Sequence, residues 1–95
     1  MADSNEERTS RLESGSQPPP VNFHQLYIFH AVASHLSFSR AAKTLGITQP
    51  AVSIQIHELE KSLGVTLFHR QPRGLRITEV GETVLAYSQQ IFSLS

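Results

Sequence analysis

The stretch from Ser37 to Ser53, S-F-S-R-A-A-K-T-L-G-I-T-Q-P-A-V-S, constrains this chain more than any other. Ser37 offers a helix N-cap, because its hydroxyl can accept from the unpaired backbone N–H groups of a first turn. Ala41 and Ala42 fall in mid-helix and are small enough to let another helix come close. Gly46 follows the apolar Leu45, where a left-handed residue commonly stops a helix. Thr48 is then a fresh cap, and Pro50 sits in the next first turn, where its missing N–H costs little. The order predicts a helix over Phe38–Leu45, a tight turn, and a second helix beginning just after Thr48.

That second helix divides its faces clearly. Val52, Ile56, Leu59 and Leu63 recur at i, i+4, i+7 and i+11 and make one apolar stripe before Gly64 ends the run. Pro50, Ser53, Ile54, His57 and Lys61 point broadly the other way, with Gln49 flanking them at the N-terminal end. A helix buried on one side, with small or amide side chains on its free leading edge, suits insertion into a DNA groove. Upstream, Asn22 can cap a helix running through about His35. Its apolar face comprises Leu26, Phe29, Ala33 and Leu36, widened by Phe23, Ile28 and Val32.

Downstream, Val65–Phe68 and Leu75–Thr78 are β-prone and are separated by Gln71-Pro72-Arg73-Gly74, a turn signal, so a hairpin follows the helices as a wing. Thr78 can cap a last helix with Glu79 and Glu82 in its first turns, where the helix dipole favours carboxylates. Along it, Val80, Val84, Tyr87, Ile91 and Leu94 repeat with 4-3-4-3 spacing, a coiled-coil seam that stops unfinished at Ser95. The same seam also reads as the inner face of a helix packed on its own domain. Val80 and Val84 are expected to be partly intramolecular, and Tyr87 onward to face a partner.

The remaining composition narrows the function classes. Residues 1–20 end in three prolines and hold only Met1, Ala2 and Leu12 as clear apolar side chains, so they read as a disordered tail. There is no apolar secretory h-region and no run long enough to span a bilayer, which makes a cytoplasmic protein the expectation. The lack of cysteine excludes disulfides, thiol catalysis and thiolate metal sites. Net charge is zero over the whole chain. Within it Arg70, Arg73 and Arg76 cluster on the hairpin with no acidic residue between them, so positive charge is local.

Leu26…Phe29, Ser37-Phe38-Ser39, Ala41-Ala42, Leu45, Gln49-Pro50-Ala51-Val52-Ser53, Gln55-Ile56, Leu59-Glu60, Leu63-Gly64, Leu67-Phe68, Arg70, Arg73-Gly74, Thr78 and Gly81 together resemble the N-terminal domain of LysR-type transcriptional regulators. The resemblance covers nearly all of residues 21–95. It implies a mainly α fold, a winged helix-turn-helix of three helices and a two-stranded wing over residues 21–78. The helix-turn-helix proper lies at about 38–57 and the wing at about 66–78, and residues 79–95 form a dimerisation linker helix.

The function so implied is bacterial transcription regulation by a sequence-specific protein on nucleoid DNA, without enzymatic activity. The DNA-binding residues expected, from the resemblance and from the reading of the residues together, are Ser37, Ser39, Thr48, Gln49, Pro50, Ser53, Ile54, His57, Arg70 and Arg73. Gln49, Pro50 and Ser53 match the family's major-groove readers, Arg73 its minor-groove wing residue, and Ser37 and Ser39 positions near phosphate. The position after Ser53 is often arginine in the family; here it is Ile54, which trades hydrogen-bonded readout for an apolar contact to a thymine methyl. For Arg70 two readings stand, a DNA contact or a strap holding the wing to the helices. Val84, Tyr87, Ile91 and Leu94 would pair two copies over a near-palindromic double-stranded operator, with higher oligomers in a full-length protein. No cofactor is expected, and a small-molecule effector belongs only to a C-terminal domain of a longer protein, of which this chain reads as a fragment.

Two other classes compete. A winged helix serving as a protein-interaction module is favoured by the neutral net charge. A metalloenzyme is disfavoured: His24, His30 and His35 share no helix face, and H-E-L-E-K at His57 places lysine where H-E-x-x-H needs its second ligand.

Overall fold

The computed structural model describes residues 22–93, so the expected tail, residues 1–20, and the seam residue Leu94 lie outside the described residues. Helix α1 spans Phe23–His35, α2 Phe38–Leu45 and α3 Gln49–Leu63; strands β1 (Phe68–Gln71) and β2 (Gly74–Ile77) follow, then α4 (Glu79–Ser93). Each helix start is fixed locally. Asn22, Ser37 and Thr48 accept the backbone N–H groups of Gln25, Arg40 and Ala51 at 3.2, 3.1 and 3.2 Å. Gly46 and Gly64 close α2 and α3 at φ 71° and 70°, in the left-handed region that glycine enters without strain.

Helix α1 is central, packing against α2, α3 and α4. The core consists of Ile28, Phe29 and Val32 from α1, Ala41 and Ala42 from α2, and Val52, Ile56 and Leu59 from α3, with Leu67 and Phe68 closing it from the wing side. The alanines in α2 do what their size predicts, and both are buried between helices. Two residues expected on the apolar face of α1 are not in the core: Phe23 and Leu36 are 65% and 47% exposed. Leu36 has left the helix altogether. It is the left-handed cap of α1 at φ 49°, its N–H bonded to Val32 O at 2.7 Å, so its side chain no longer follows the helical spacing.

The hairpin is antiparallel, with Phe68↔Ile77, His69↔Arg76, Arg70↔Leu75 and Gln71↔Gly74 paired across it and Pro72-Arg73 at the tip. The first strand begins later than its β-propensity suggests, at Phe68 and not Val65. Val65–Leu67 are instead tied to α3: Val65 N–H bonds to Glu60 O, and the Glu60 carboxylate takes the N–H of Leu67 at 2.6 Å. With Leu67 fully buried, this segment is a core plug and not a ladder.

Helix α4 returns across α1. Thr78 clamps its start: the hydroxyl accepts Gly81 N–H at 2.9 Å and donates to Thr66 O at 2.7 Å. Gly81 is buried, and a Cβ there would collide with Leu67 O and the Ile77 side chain. Further along, the fully buried Ser88 meets His30 Nδ1 at 3.1 Å, and Phe92 packs edge-on against Tyr27. The expected division of the seam therefore falls elsewhere. Val84 and Ile91 are half-buried against the core, whereas Val80 and Tyr87 are 44% and 65% exposed. The inward face is centred on Gly81, Leu85, Ser88 and Phe92, about one residue round from the heptad positions, with Gly81 against the wing root and Ser88 and Phe92 against α1.

Candidate nucleic-acid interface

Strand parity sorts the three hairpin arginines. Side chains alternate across a strand, so Arg70 shares a face with Phe68, which is in the core, while Arg76 shares the opposite face with His69. Arg70 thus turns toward the helices, Arg76 turns away, and Arg73 stands at the tip. The Arg70 guanidinium lies 4.4 Å above the centre of the Phe38 ring, and its Nη2 donates to Ser53 Oγ at 3.3 Å. Phe38 in turn meets Phe68 edge-on, and Phe68 meets Phe29 in the core. An aromatic relay therefore carries the position of the wing arginine back to α1.

The leading edge of α3 is free. Gln49, Pro50, Ile54 and His57 are exposed, Ile54 to 60%, and Ser53 is half-buried under Arg70. Because Val52, Ile56 and Leu59 take the inner face, these side chains have no course but outward. Beside them, a shallow depression of about 550 Å³ opens between the start of α2, the start of α3 and the wing. Ser37, Ser39, Arg40, Gln49, Arg70 and Pro72 line it. A smaller hollow of about 220 Å³ joins Ser53, His57 and Arg70 over Phe38 and Glu60.

The structure therefore gathers Ser37, Ser39, Gln49, Ser53, His57 and Arg70 around two adjoining hollows. Pro50, Ile54 and the exposed wing-tip Arg73 line neither hollow. Thr48 is exposed, but its hydroxyl oxygen is engaged in capping α3. Ser37 is half-buried, caps α2 and lies 3.2 Å from Ser39 Oγ. Three participants were not picked out from sequence. Arg40 lines the larger hollow, Phe38 clamps Arg70, and Glu60 anchors the wing root through Leu67 and Phe68 N–H. Strand alternation carries the signal for Phe38's partner; for Glu60 the sequence holds none, because the bond joins a helix side chain to backbone of a later loop.

Among the described residues no cluster of three or more His, Asp or Glu side chains is placed to hold a metal, and no helix is long and apolar enough to cross a membrane. The arrangement presents a polar helix edge flanked by cations. Such a surface offers donors and acceptors to base edges and positive charge to phosphates.

The family model described as a bacterial regulatory helix-turn-helix protein, lysR family, matches residues 23–82, from the first residue of α1 into the first turn of α4. The chain belongs to the lysR family. A probable RuBisCO transcriptional regulator of Synechocystis is 48% identical over 75 residues, which are 79% of this chain and 22% of that protein. The glycine cleavage system transcriptional activator of Escherichia coli K12 is 49% identical over 75 residues, 79% of this chain and 24% of the activator. The chain thus spans about a quarter of the length of these lysR-family relatives, which are regulators and not enzymes. Its fold is that of solved lysR-family structures. It superposes on the CbnR DNA-binding domain in complex with DNA at a TM-score of 0.73, with 38% identity, covering 78% of this chain and 85% of that one. For the BenM DNA-binding domain with catB site 1 DNA the TM-score is 0.74, with 36% identity over 77% and 82% of the two chains.

Proposed function

We propose that residues 21–78 are the sequence-specific double-stranded DNA-binding domain of a LysR-type transcription regulator, acting on the nucleoid in the cytoplasm. The observation that carries this reading is the free leading edge of α3, with Gln49, Pro50 and Ile54 exposed and a wing arginine fastened beside it to Ser53. Helix α3 enters the major groove, where Gln49 pairs with an adenine edge and Ile54 meets a thymine methyl. Arg73, at the tip of the hairpin, reaches the adjacent minor groove. Ser37, Ser39, Thr48, His57 and the nearby cations lie along the phosphates and set register. The DNA-bound states of the CbnR and BenM domains support the same mode here.

Residues 79–95 serve as a linker helix that pairs two copies through Val84, Tyr87, Ile91 and Leu94, with Tyr87 the most exposed of those described. Two recognition helices then enter successive major grooves of a near-palindromic operator, roughly one DNA turn or a multiple apart. Any effector ligand is bound by a further domain of the whole regulator.

Selection of binding sites from a random duplex pool, followed by a salt titration on the winning site, tests this. Groove binding should yield a two-fold-symmetric motif and an affinity that falls steeply as salt rises. A chain that selects no motif contradicts sequence-specific reading, and an interaction that ignores salt favours a protein-binding use of the winged fold.

A further inference from the structure

The contact between Arg70 and Ser53 does more than join the wing to α3. Four hydroxyl residues in helices spend their proton on a carbonyl three or four residues back, while Ser39 and Thr44 meet Ser37 Oγ and His35 Nε2. Ser34 donates to His30 O, Thr83 to Glu79 O, Ser88 to Leu85 O and Ser93 to Gln90 O. Ser53 is different. Its hydrogen bond among the described residues is one it accepts, from Arg70 Nη2. Guanidinium has donors only, so a lone pair of Ser53 Oγ is committed to Arg70 and the hydroxyl proton is left to point elsewhere. The guanidinium carbon sits over the Phe38 ring, Phe68 packs on Phe38 and Phe29 on Phe68, so the donor to Ser53 is placed before any ligand arrives.

We infer that Arg70 is a positioning residue which sets Ser53 as a hydrogen-bond donor to one base pair, selecting for an acceptor atom (a purine N7, guanine O6 or thymine O4) at that step. The inference rests on the proposed groove-reading function and assigns Arg70 a part in sequence choice and not merely in charge. Serine alone discriminates poorly, because its hydroxyl can donate or accept. A cationic donor on one of its two lone pairs polarises the O–H and leaves a single lone pair free, which weights the hydroxyl toward donation. A cation near DNA would ordinarily be read as a phosphate contact, which carries no sequence information.

The test uses the chain and its Ser53→Ala, Arg70→Met and doubly substituted forms, each shown by thermal melting to be folded. Methionine keeps the length of the arginine stem and removes the donors. Binding is measured on the duplex selected from the random pool, on single-base-pair variants of it, and on random-sequence DNA. Ser53→Ala should lose discrimination at one base pair by about five- to a hundredfold. Arg70→Met should lose it at the same base pair, leave the others unaltered, and add nothing further in the double variant. Base analogues then read the polarity: loss should follow removal of a ring-nitrogen or carbonyl acceptor at that step. If Arg70→Met instead weakens selected and random DNA equally, with a salt slope reduced by about one, it is a phosphate contact and the inference falls. Loss on removal of an exocyclic amine overturns the donor assignment. Failure of the unsubstituted chain to select any site would sink the groove-reading function itself, an outcome separate from both of these.

Discussion

Glu60, on α3, accepts the Leu67 backbone N–H at 2.6 Å and so holds the root of the wing against that helix. The same oxygen receives Phe68 N–H at 3.4 Å, and both donors are partly buried. Removing the acceptor leaves them without a partner. Glu60→Ala should therefore cost about 1.5–3 kcal/mol, the range for hydrogen bonds to charged groups. Glu60→Gln keeps an oxygen in place and should cost less. Urea unfolding midpoints of the two variants give the comparison; equal losses would mean that the negative charge, and not an acceptor oxygen alone, holds the wing root.

Gly81 sits where α4 crosses the wing root. A methyl group there would press on backbone, Leu67 O, and on the Ile77 side chain, so relief requires the helix to shift. Gly81→Ala should destabilise by about 1–3 kcal/mol, the usual penalty of overpacking, although alanine is the better helix former. A melting temperature that rises would show that the helix is free to move.

Leu36 predicts the opposite sign. A side chain at left-handed φ costs roughly 1–2 kcal/mol, while glycine gives back about 0.5–1 kcal/mol through the unfolded chain. With Leu36 47% exposed, little burial is lost. Leu36→Gly should stabilise by up to about 1 kcal/mol, and the β-branched Leu36→Val should destabilise. The order of the three melting temperatures decides it.

Gln49 and Arg73 should behave as different kinds of contact. Gln49→Ala is expected to cost about 1–3 kcal/mol at a selected site and to relax preference at one base pair. Arg73→Ala should weaken binding most where A-tracts narrow the minor groove. Fluorescence anisotropy on selected, random and A-tract-flanked duplexes separates them; a uniform loss for Gln49→Ala, or no loss on A-tracts for Arg73→Ala, contradicts the assigned roles.

Helices α1 to α3 were legible residue by residue because their ends are local events. A cap and the N–H it receives are three residues apart, as at Ser37 and Arg40, and a terminating glycine needs only its own φ. The start of β1 was not legible, because Val65–Leu67 have strand propensity but are claimed by Glu60 and the core. The α4 seam shows the same limit. Heptad spacing located an apolar helix, yet its inner face was set by the close approach at Gly81 and by His30 meeting Ser88, contacts between residues far apart in the chain.

Sequence alone determined that three capped helices, a turn glycine and a hairpin occur in this order, and that the stripe of α3 through Val52, Ile56 and Leu59 must face inward. Those outcomes depend on backbone chemistry and side-chain period, which act over a few residues. Only the tertiary structure decided what Arg70 does. Its strand position turns it toward Phe38 and Ser53, and a guanidinium over an aromatic ring exists only once the wing, α2 and α3 have been brought within reach of one another.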